Sequence, residues 1–366
     1  MNKEIAGVKE ARHRLLGLQV IPHADGVILR RGTTRVVLSG EGIADLVELI
    51  LARAAEGSGI KTADLWASAS GSRRATLTGL LDTLTAHRLL VPLDDGSAGA
   101  GRAERKEDIF FWNEETSFSA VSDSLAETEL IVFGVNHVGL ALLGNLRGCG
   151  FRAVTLIDHP TLRNLDFYDV TGDLRLEIKA ALSTPPQAFE SLDEAPTGPT
   201  CYVVCSDFGG LALMRDWNRH CVDAGIHFYS AVLQDQIAYL GPLVVPHAGP
   251  CFECFWIRRA SHLDDPTAAL AVEMRAFEGQ RSAGYLQPMS RVAADLAAID
   301  LLKYYGALPG GEIGRLIEAD LMAPSIKVRS LLKVPRCPVC SRLVRTAASA
   351  AAVEAPAEGE MVEEDL

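Results

Sequence analysis

The sequence lacks the features of several common protein classes. No apolar run approaches the ~18 residues that cross a membrane, and the opening residues do not resemble a signal peptide. Lys and Arg form no basic stripe; 35 of them against 47 Asp and Glu give a net charge of −12. Because phosphate contacts require many cationic side chains, nucleic acid is not expected as the main partner. We expect a cytoplasmic protein without a membrane partner.

Cysteine is scarce, with eight residues in 366, which is not the pattern of a secreted disulfide scaffold. Four form two C-x-x-C pairs, Cys251 with Cys254 and Cys337 with Cys340. Together they predict a closed Cys₄ site for structural zinc, with no open position for catalysis. Neither pair is predicted at a thioredoxin-like strand-to-helix junction, so redox use is the less favoured alternative. The others are predicted to be small buried residues: Cys149, Cys201, Cys205 and Cys221.

Glycine is scarce at the point where a dinucleotide-binding motif needs it. Residues 130–158 contain an apolar strand, a turn with glycine at its ends (Gly134 and Gly139), an apolar helix, a second strand and Asp158. That order is typical of a nucleotide-binding βαβ unit. Asn136, followed by His137, replaces the glycine that lets backbone amides approach a phosphate. Two interpretations remain: a working nucleotide site with unusual side chains, or a nucleotide-type scaffold whose site is partly filled.

The length predicts two or three domains, and 48% apolar residues can form full cores. Residues 1–16 are predicted to form a helical or loose arm. The pattern then predicts three short strands (18–21, 26–30 and 34–38), three helices (39–57, 62–69 and 72–87) and an edge strand (89–93). Residues 1–95 are therefore interpreted as a winged helix-turn-helix domain.

A winged helix usually suggests DNA binding, but helix 72–87 carries few basic side chains, Arg73, Arg74 and His87. Such a domain can instead accept an extended peptide as an added strand, in the groove between its third strand and third helix. The predicted groove residues are apolar side chains with two arginines at the rim: Val36, Leu38, Leu77, Leu81, Arg35 and Arg74. The alternative is that the four apolar residues are ordinary core.

A Gly- and Ser-containing segment predicts a linker at 96–108, followed by an α/β domain at 109–344 and a disordered acidic tail at 345–366. Within the α/β domain, strands are predicted at 187–192, 200–205, 227–232, 313–319 and 325–332, with helices at 109–125, 174–182, 211–224 and 292–305. A hairpin is predicted from 237–241 and 242–245. The alternation predicts a mostly parallel sheet with an antiparallel end.

The glycine turn, Asp158, the Asn-Leu pair beginning at Asn164, the strand ending at Asp207 and the two cysteine pairs occur in this order. Together they resemble the ThiF/MoeB-like, ubiquitin-activating superfamily over about residues 115–343. The resemblance implies a Rossmann-like fold and frequent dimers. Active members bind ATP and adenylate a C-terminal carboxylate.

The resemblance also assigns candidate nucleotide-binding residues: Gly134, Gly139, Asp158, Asn164 and Asp207. Asp158 corresponds to the ribose-binding Asp and Asp207 to the metal-side Asp, while Lys179 is a loose candidate for the family's lysine. Asp166-Phe167 replaces the Arg-Gln that would hold the triphosphate. The site is therefore predicted to be vestigial, with ATP binding doubtful and no catalytic residue assigned.

A winged helix before a degenerate ThiF-like domain resembles the SagC-like, cyclodehydratase C proteins of ribosomal peptide natural-product pathways. The resemblance implies that the N-terminal domain captures a precursor's leader peptide. It also implies that residues 110–343 dock a YcaO-type partner, which uses ATP to form azoline rings. The main alternative is an autonomous enzyme that adenylates a peptide. A transcription factor with a sensor domain is a third alternative, disfavoured by the acidic balance.

Overall fold

The computed structural model describes residues 12–15, 17–32, 34–55, 59–92, 106–114, 116–182, 184–189, 191–192, 198–277 and 284–341. The chain divides into two compact units, Met1–Val121 and Ser122–Leu366. The predicted acidic tail and most of the predicted linker lie outside the described residues. The predicted domain limits stay predictions, although helix α4 (Lys106–Asn113) occupies the last three residues of the range predicted as linker.

An antiparallel sheet of three strands forms the first part of unit 1. Its strands are β2 (Gln19–His23), β3 (Gly26–Arg31) and β4 (Thr34–Ser39), in that order. The three predicted strands are confirmed. Gly26 is needed at the start of β3 because an added Cβ would lie 1.9 Å from the Leu38 carbonyl oxygen.

Three helices follow: α1 (Ile43–Ala55), α2 (Thr62–Ala67) and α3 (Ser72–Ala86). They were predicted from apolar spacing, which places Leu46 and Leu77 in one core with Leu29 of β3. Strand β6 (Leu90–Pro92) was also predicted.

A second small sheet in unit 1 corrects the prediction for the arm. Residues Arg12–Leu15 form strand β1, which pairs with β6 on one side and with β5 (Ile60–Lys61) on the other. The arm prediction is wrong for these four residues. Their pairing depends on strands far along the chain, which no local pattern reveals.

Unit 2 is built on an eight-stranded sheet in the order β14-β13-β12-β11-β10-β7-β8-β9. The strands from β11 to β9 pair in parallel, and β12, β13 and β14 continue the sheet in antiparallel pairing. Their bounds are β7 Glu129–Phe133, β8 Ala153–Asp158, β9 Gln187–Ala188, β10 Cys201–Ser206, β11 His227–Gln234, β12 Ile237–Leu240, β13 Arg315–Asp320 and β14 Ser325–Ser330. A mixed α/β sheet with an antiparallel end was predicted.

Helices cover both faces of the buried strands. On one face α6 (His137–Cys149) packs against α11 (Gln287–Tyr305), and on the other α8 (Met214–Ala224) packs against α9 (Phe252–Ala260). Strand β10 is fully buried and sends alternate side chains to the two faces. The remaining helices are α5 (Phe118–Ala126), α7 (Leu176–Ala181) and α10 (Pro266–Phe277).

The predicted hairpin of 237–241 with 242–245 is wrong. Strand β12 pairs instead with β11 and β13, and Val244 makes only an isolated bridge to Phe228. The chain turns at Asp235, whose φ of 53° is left-handed. Because Pro242 has no N–H for a ladder, a central strand cannot run through it. Helices α9 and α10 were also not predicted. No described helix is both long and apolar enough for a bilayer crossing.

Phe133 offers a test of the core of unit 2. Its ring is fully buried, with centroids 4.8 Å from Tyr202 and 4.4 Å from Trp217. Phe133→Ala should lower the free energy of unfolding by about 3–5 kcal/mol, because it leaves a cavity. Urea unfolding followed by tryptophan fluorescence measures this. Val170→Ala, at a fully exposed position, is the control and should change stability by less than about 0.5 kcal/mol.

Candidate functional site

The turn between β7 and α6 is closed so tightly that both of its glycines are required. Gly134 has φ 118° and donates its N–H to the Ile157 carbonyl. An added Cβ at Gly139 would lie 2.1 Å from the Gly134 carbonyl oxygen. The backbone therefore retains the close approach of a nucleotide-binding turn.

Asn136 occupies the inside of this turn and is fully buried. Its Oδ1 accepts the Gly139 N–H at 2.9 Å, which caps helix α6. Its Nδ2 donates to the carbonyls of Leu162 and Cys205, each at 2.9 Å. The side chain thus takes the helix N–H that a phosphate would use, as expected for a partly filled site.

Asp207, at the end of β10, is the centre of a buried polar cluster. One oxygen, Oδ2, accepts from the His137 N–H (2.9 Å), Asn164 Nδ2 (2.8 Å) and the Tyr285 hydroxyl (2.7 Å). The imidazole Nδ1 of His137 lies 3.2 Å from the same oxygen and 2.8 Å from the Tyr285 hydroxyl. A carboxylate predicted to face a metal ion is instead surrounded by donors from its own chain.

Hydrogen bonding decides the charge of Asp207. Burial by itself would raise the pKa of its carboxyl, but the bonds from His137, Tyr285 and Asn164 outweigh it and lower the pKa. Burial and the nearby Asp207 charge raise the pKa of Tyr285. Asp207 is therefore an anion and Tyr285 a neutral donor at neutral pH.

Asp158, the predicted ribose ligand, is also engaged. Arg163 binds it with two bonds, Nε to Oδ1 at 2.8 Å and Nη2 to Oδ2 at 2.9 Å. The Tyr168 hydroxyl donates to Oδ1 at 2.8 Å. These three residues line a cavity of about 390 Å³, whose wall also includes Lys179. The structure thus brings the predicted Lys179 and Asp158 to one cavity, with Arg163 occupying the carboxylate.

Tyr285, Arg163 and Tyr168 were missed by the sequence analysis. Tyr285 precedes helix α11 and meets Asp207 across 78 positions, for which the sequence contains no local signal. Arg163 lies in the loop directly after Asp158, so an arginine that close could have suggested an internal ion pair. Asp166, the replacement for the family's arginine, is exposed, while Asn164 Oδ1 accepts the Asp166 N–H.

The predicted groove residues divide by exposure. Three of the apolar side chains belong to the unit 1 core, with exposed fractions of 7% for Val36, 0% for Leu77 and 5% for Leu81. Leu38 is half-buried and packs against the same core. Arg35 is exposed; Arg74 is exposed too and donates to the Trp66 carbonyl. Their part in peptide binding stays a prediction.

The four cysteines of the two C-x-x-C pairs meet in one buried cluster. The Sγ–Sγ distances are 3.9 Å for Cys251–Cys254, 3.6 Å for Cys251–Cys337 and 3.6 Å for Cys254–Cys340. Thiolates about 2.3 Å from an ion at tetrahedral corners lie about 3.8 Å apart, whereas a disulfide needs about 2.0 Å. The donor set and its spacing therefore fit a four-coordinate metal ion.

Neighbouring bonds hold the cysteine cluster in place. Cys251 is the N-cap residue of α9, and no strand runs directly into it, because the preceding strand β12 ends at Leu240. Within α9, Glu253 makes a two-bond pair with Arg215 of α8 at 2.7 and 2.8 Å. Among the other cysteines, Cys149 is only half-buried, which corrects its prediction as buried.

Removal of one thiolate should abolish metal binding. Cys337→Ser should reduce bound metal, predicted to be zinc, from about one ion per chain to a minor fraction, because serine is a poor zinc ligand. Elemental analysis of the purified protein measures this. Cys149→Ser lies outside the cluster and should keep the ion; equal metal content in both variants would contradict the site.

Asp207→Asn should lower the stability of unit 2 by about 1.5–3 kcal/mol at pH 7, since it removes the charge that accepts the converging bonds. The lowered pKa means that this contribution is present above about pH 4 and is lost as the carboxylate is protonated in acid. Urea unfolding of both proteins between pH 3 and pH 8 should show a difference that is constant near neutrality and shrinks below about pH 4. A difference independent of pH would contradict the account.

Known structures with a similar fold were found by structural comparison, but no similar sequence was. No family model and no curated protein sequence matches the chain. The structure of E. coli MccB with AMPCPP and MccA is similar, with a TM-score of 0.62 and 18% identity over 90% of this chain and 99% of MccB. The structure of E. coli MccB with ATP matches over the same shares of both chains, with a TM-score of 0.61 and 17% sequence identity.

A heterocyclase in complex with substrate and cofactor also matches, with a TM-score of 0.55 and 15% identity over 90% of this chain and 39% of the heterocyclase. At these identities the likeness establishes the fold and not the activity. The chain thus shares the fold of MccB, and the predicted mixed α/β sheet and Cys₄ cluster are both present.

Proposed function

We propose that this chain is a leader-peptide-binding, ThiF-like subunit of a cyclodehydratase in ribosomal peptide natural-product biosynthesis. It holds a precursor peptide and presents it to a YcaO-type partner, which uses ATP to form thiazoline or oxazoline rings. Its own nucleotide site is vestigial, and its zinc ion is structural. The protein acts as a dimer in the cytoplasm.

The observation that carries this proposal is the filled nucleotide turn. Asn136 takes the Gly139 N–H, and Asp207 is surrounded by His137, Asn164 and Tyr285. A triphosphate with its metal ion needs free backbone N–H groups and a free carboxylate at these positions. Binding one would require breaking the buried cluster around both residues.

The residues that would stabilise a reacting phosphate are also missing. Exposed Asp166 stands where the active family has arginine, and a carboxylate there repels a phosphate. Asp158 is already paired with Arg163 at the position of the ribose contact. Both differences favour peptide presentation over adenylation.

Unit 1 offers an edge strand for peptide capture, and its three-stranded sheet and three helices are compatible with the proposed winged helix. Strand β4 ends its sheet. Gly40 donates its N–H to the Asp25 carbonyl, so these two residues form a hydrogen-bonded pair. Hydrogen-bonded and non-hydrogen-bonded pairs alternate along an antiparallel ladder, so Val36 and Leu38 bond to β3. The backbone N–H and C=O groups of Arg35 and Val37 then face away from β3. An extended peptide can add to those groups as a fourth strand.

The opposite edge of that sheet is less suited to strand addition. The same alternation makes Ile21 bond to Ile28 of β3, so Pro22 occupies a position of β2 that faces outward. Because proline has no N–H, this edge is interrupted there, a common protection against unwanted pairing. The proposed peptide strand therefore lies along β4.

The comparisons support a peptide as the ligand. MccB is described as a microcin C7 biosynthetic enzyme in complex with N-formylated MccA, and the heterocyclase structure contains its substrate. Both involve a scaffold of this fold and a bound substrate. They do not distinguish a presenting subunit from an enzyme.

Autonomous peptide adenylation is the second candidate. The chain matches 99% of MccB, which has been crystallised with ATP, and retains a cavity of about 390 Å³ beside Asp158. ATP–pyrophosphate exchange by the purified chain with its precursor peptide separates the two functions. We expect no exchange above background; exchange that disappears in Asp207→Ala would favour the enzyme.

Val37→Pro tests capture along β4. It removes an outward-facing N–H without removing a ladder bond, and should weaken binding of the precursor leader about tenfold, or about 1.4 kcal/mol. Val37→Thr keeps both the N–H and the branched side chain and should bind as the wild type does. Fluorescence anisotropy with the labelled leader measures the affinities; equal binding by the proline variant would contradict strand addition here.

A further inference from the structure

The sheet of β2, β3 and β4 has an apolar row on the face that points away from the unit 1 core. Ile21, Ile28 and Val37 lie opposite one another in the register of the three strands. Ile21 is 41% exposed and Val37 49%, while Ile28 between them is half-buried. The row ends at β4, so a strand added to that edge would extend it.

The neighbouring row of the same face brings two arginines together. Arg30 lies directly opposite Arg35, in a non-hydrogen-bonded pair, where side chains are closest. Within the described part of the chain, Arg30 donates to the Gly32 carbonyl, and neither arginine forms an ion pair. Like charges directly opposite each other destabilise an antiparallel pair. A carboxylate beside Arg35 would offset that repulsion.

The amino-acid sequence contains a segment with the opposite charge. Residues 346–366, which lie outside the described residues, contain six acids and no Lys or Arg. Opposite charge attracts such a segment to a face whose own charges are unbalanced. Charge therefore favours this segment as the occupant of the Arg30–Arg35 face.

The order of residues in the segment also fits the face. In β4, Arg35 and Val37 are two positions apart and point to the same side. In the segment, an apolar residue is twice followed two positions later by an acid, as Met361 by Glu363 and Val362 by Glu364. An antiparallel strand in either register places the apolar residue beside Val37 and the acid beside Arg35.

We propose that unit 1 binds the chain's own acidic segment, residues 346–366, as a strand along β4. The outward backbone groups of Arg35 and Val37 bond to the segment, and the two arginines attract its carboxylates. Because an acidic segment with few apolar residues loses conformational entropy when it binds, the complex is weak and reversible.

The consequence for peptide capture rests on the proposed function. Strand β4 is also the proposed site of the leader peptide, so the acidic segment and the leader exclude each other. A bound segment would protect the edge of the sheet from unwanted strand pairing until the precursor displaces it.

Fluorescence anisotropy with a labelled synthetic peptide of residues 346–366 tests the binding. The receptor is the full chain with the six acids of its own segment replaced by their amides, so that its segment does not compete. A control peptide carries the same six replacements. At low ionic strength the acidic peptide should bind at least about tenfold more tightly than the control, and added salt should weaken it. Equal affinities would overturn the inference.

Two further substitutions in this receptor separate charge from strand addition. Arg35→Gln should weaken the acidic peptide about threefold to fivefold, the size expected for an exposed ion pair. It should not lower the melting temperature, because it removes a repulsion. Val37→Pro should weaken the peptide about tenfold, because it removes an outward N–H. Arg12→Gln, at an exposed arginine of β1 in the other sheet of unit 1, is the control and should bind as its parent does.

Unchanged affinity in Arg35→Gln would overturn the charge basis of the inference, and unchanged affinity in Val37→Pro would overturn the strand mode. The precursor leader should bind the receptor chain at least about threefold more tightly than the unmodified chain, because a competitor has been removed. Equal leader affinity for both chains would contradict a shared site. No leader binding to either chain would contradict the proposed function alone, because binding of the acidic peptide is measured without the leader.

Discussion

The structure of unit 2 depends on how one amide side chain closes the turn after its first strand. Asn136 accepts from Gly139 and donates to Leu162 and Cys205, so it joins the start of α6, the loop after β8 and the end of β10. In a working nucleotide site those groups would be left for a ligand. Here Asn136 satisfies them within the chain, so its side chain links the three elements directly.

The same exchange occurs at the two carboxylates that the fold would use for a nucleotide. Asp158 is paired with Arg163, and converging hydrogen bonds keep Asp207 ionised although burial opposes its charge. A ligand must then compete with bonds that are already formed and already desolvated. The hydrogen bonds that stabilise this region therefore also occupy both carboxylates.

Local patterns in the sequence predicted much of this arrangement. The glycine turn, the strand ending at Asp207 and the two C-x-x-C pairs each follow from spacing over a few residues, and the cysteine cluster formed as predicted. Asn136 was predicted to fill the phosphate position because its place in the motif is fixed. Local pattern failed at 242–245, where an apolar run after Pro242 predicted a hairpin strand and the chain makes only an isolated bridge.

Partners that are distant in sequence could not be predicted. Tyr285 reaches Asp207 only because α11 folds back over the sheet, and β1 exists only because β5 and β6 flank it. The inward direction of Val36 and Leu77 likewise depends on which helix covers β4's sheet, so apolar spacing alone could not separate core from groove. In each case the missing information was tertiary.

The cysteine cluster joins two parts of unit 2 that are distant in sequence. Cys251 and Cys254 open helix α9, and Cys337 and Cys340 follow the last strand of the sheet. An ion bound to all four closes a loop that contains α10, α11, β13 and β14, and so restricts the unfolded chain as a long-range cross-link does. The cysteine cluster and the antiparallel end of the sheet are therefore linked in one structural unit.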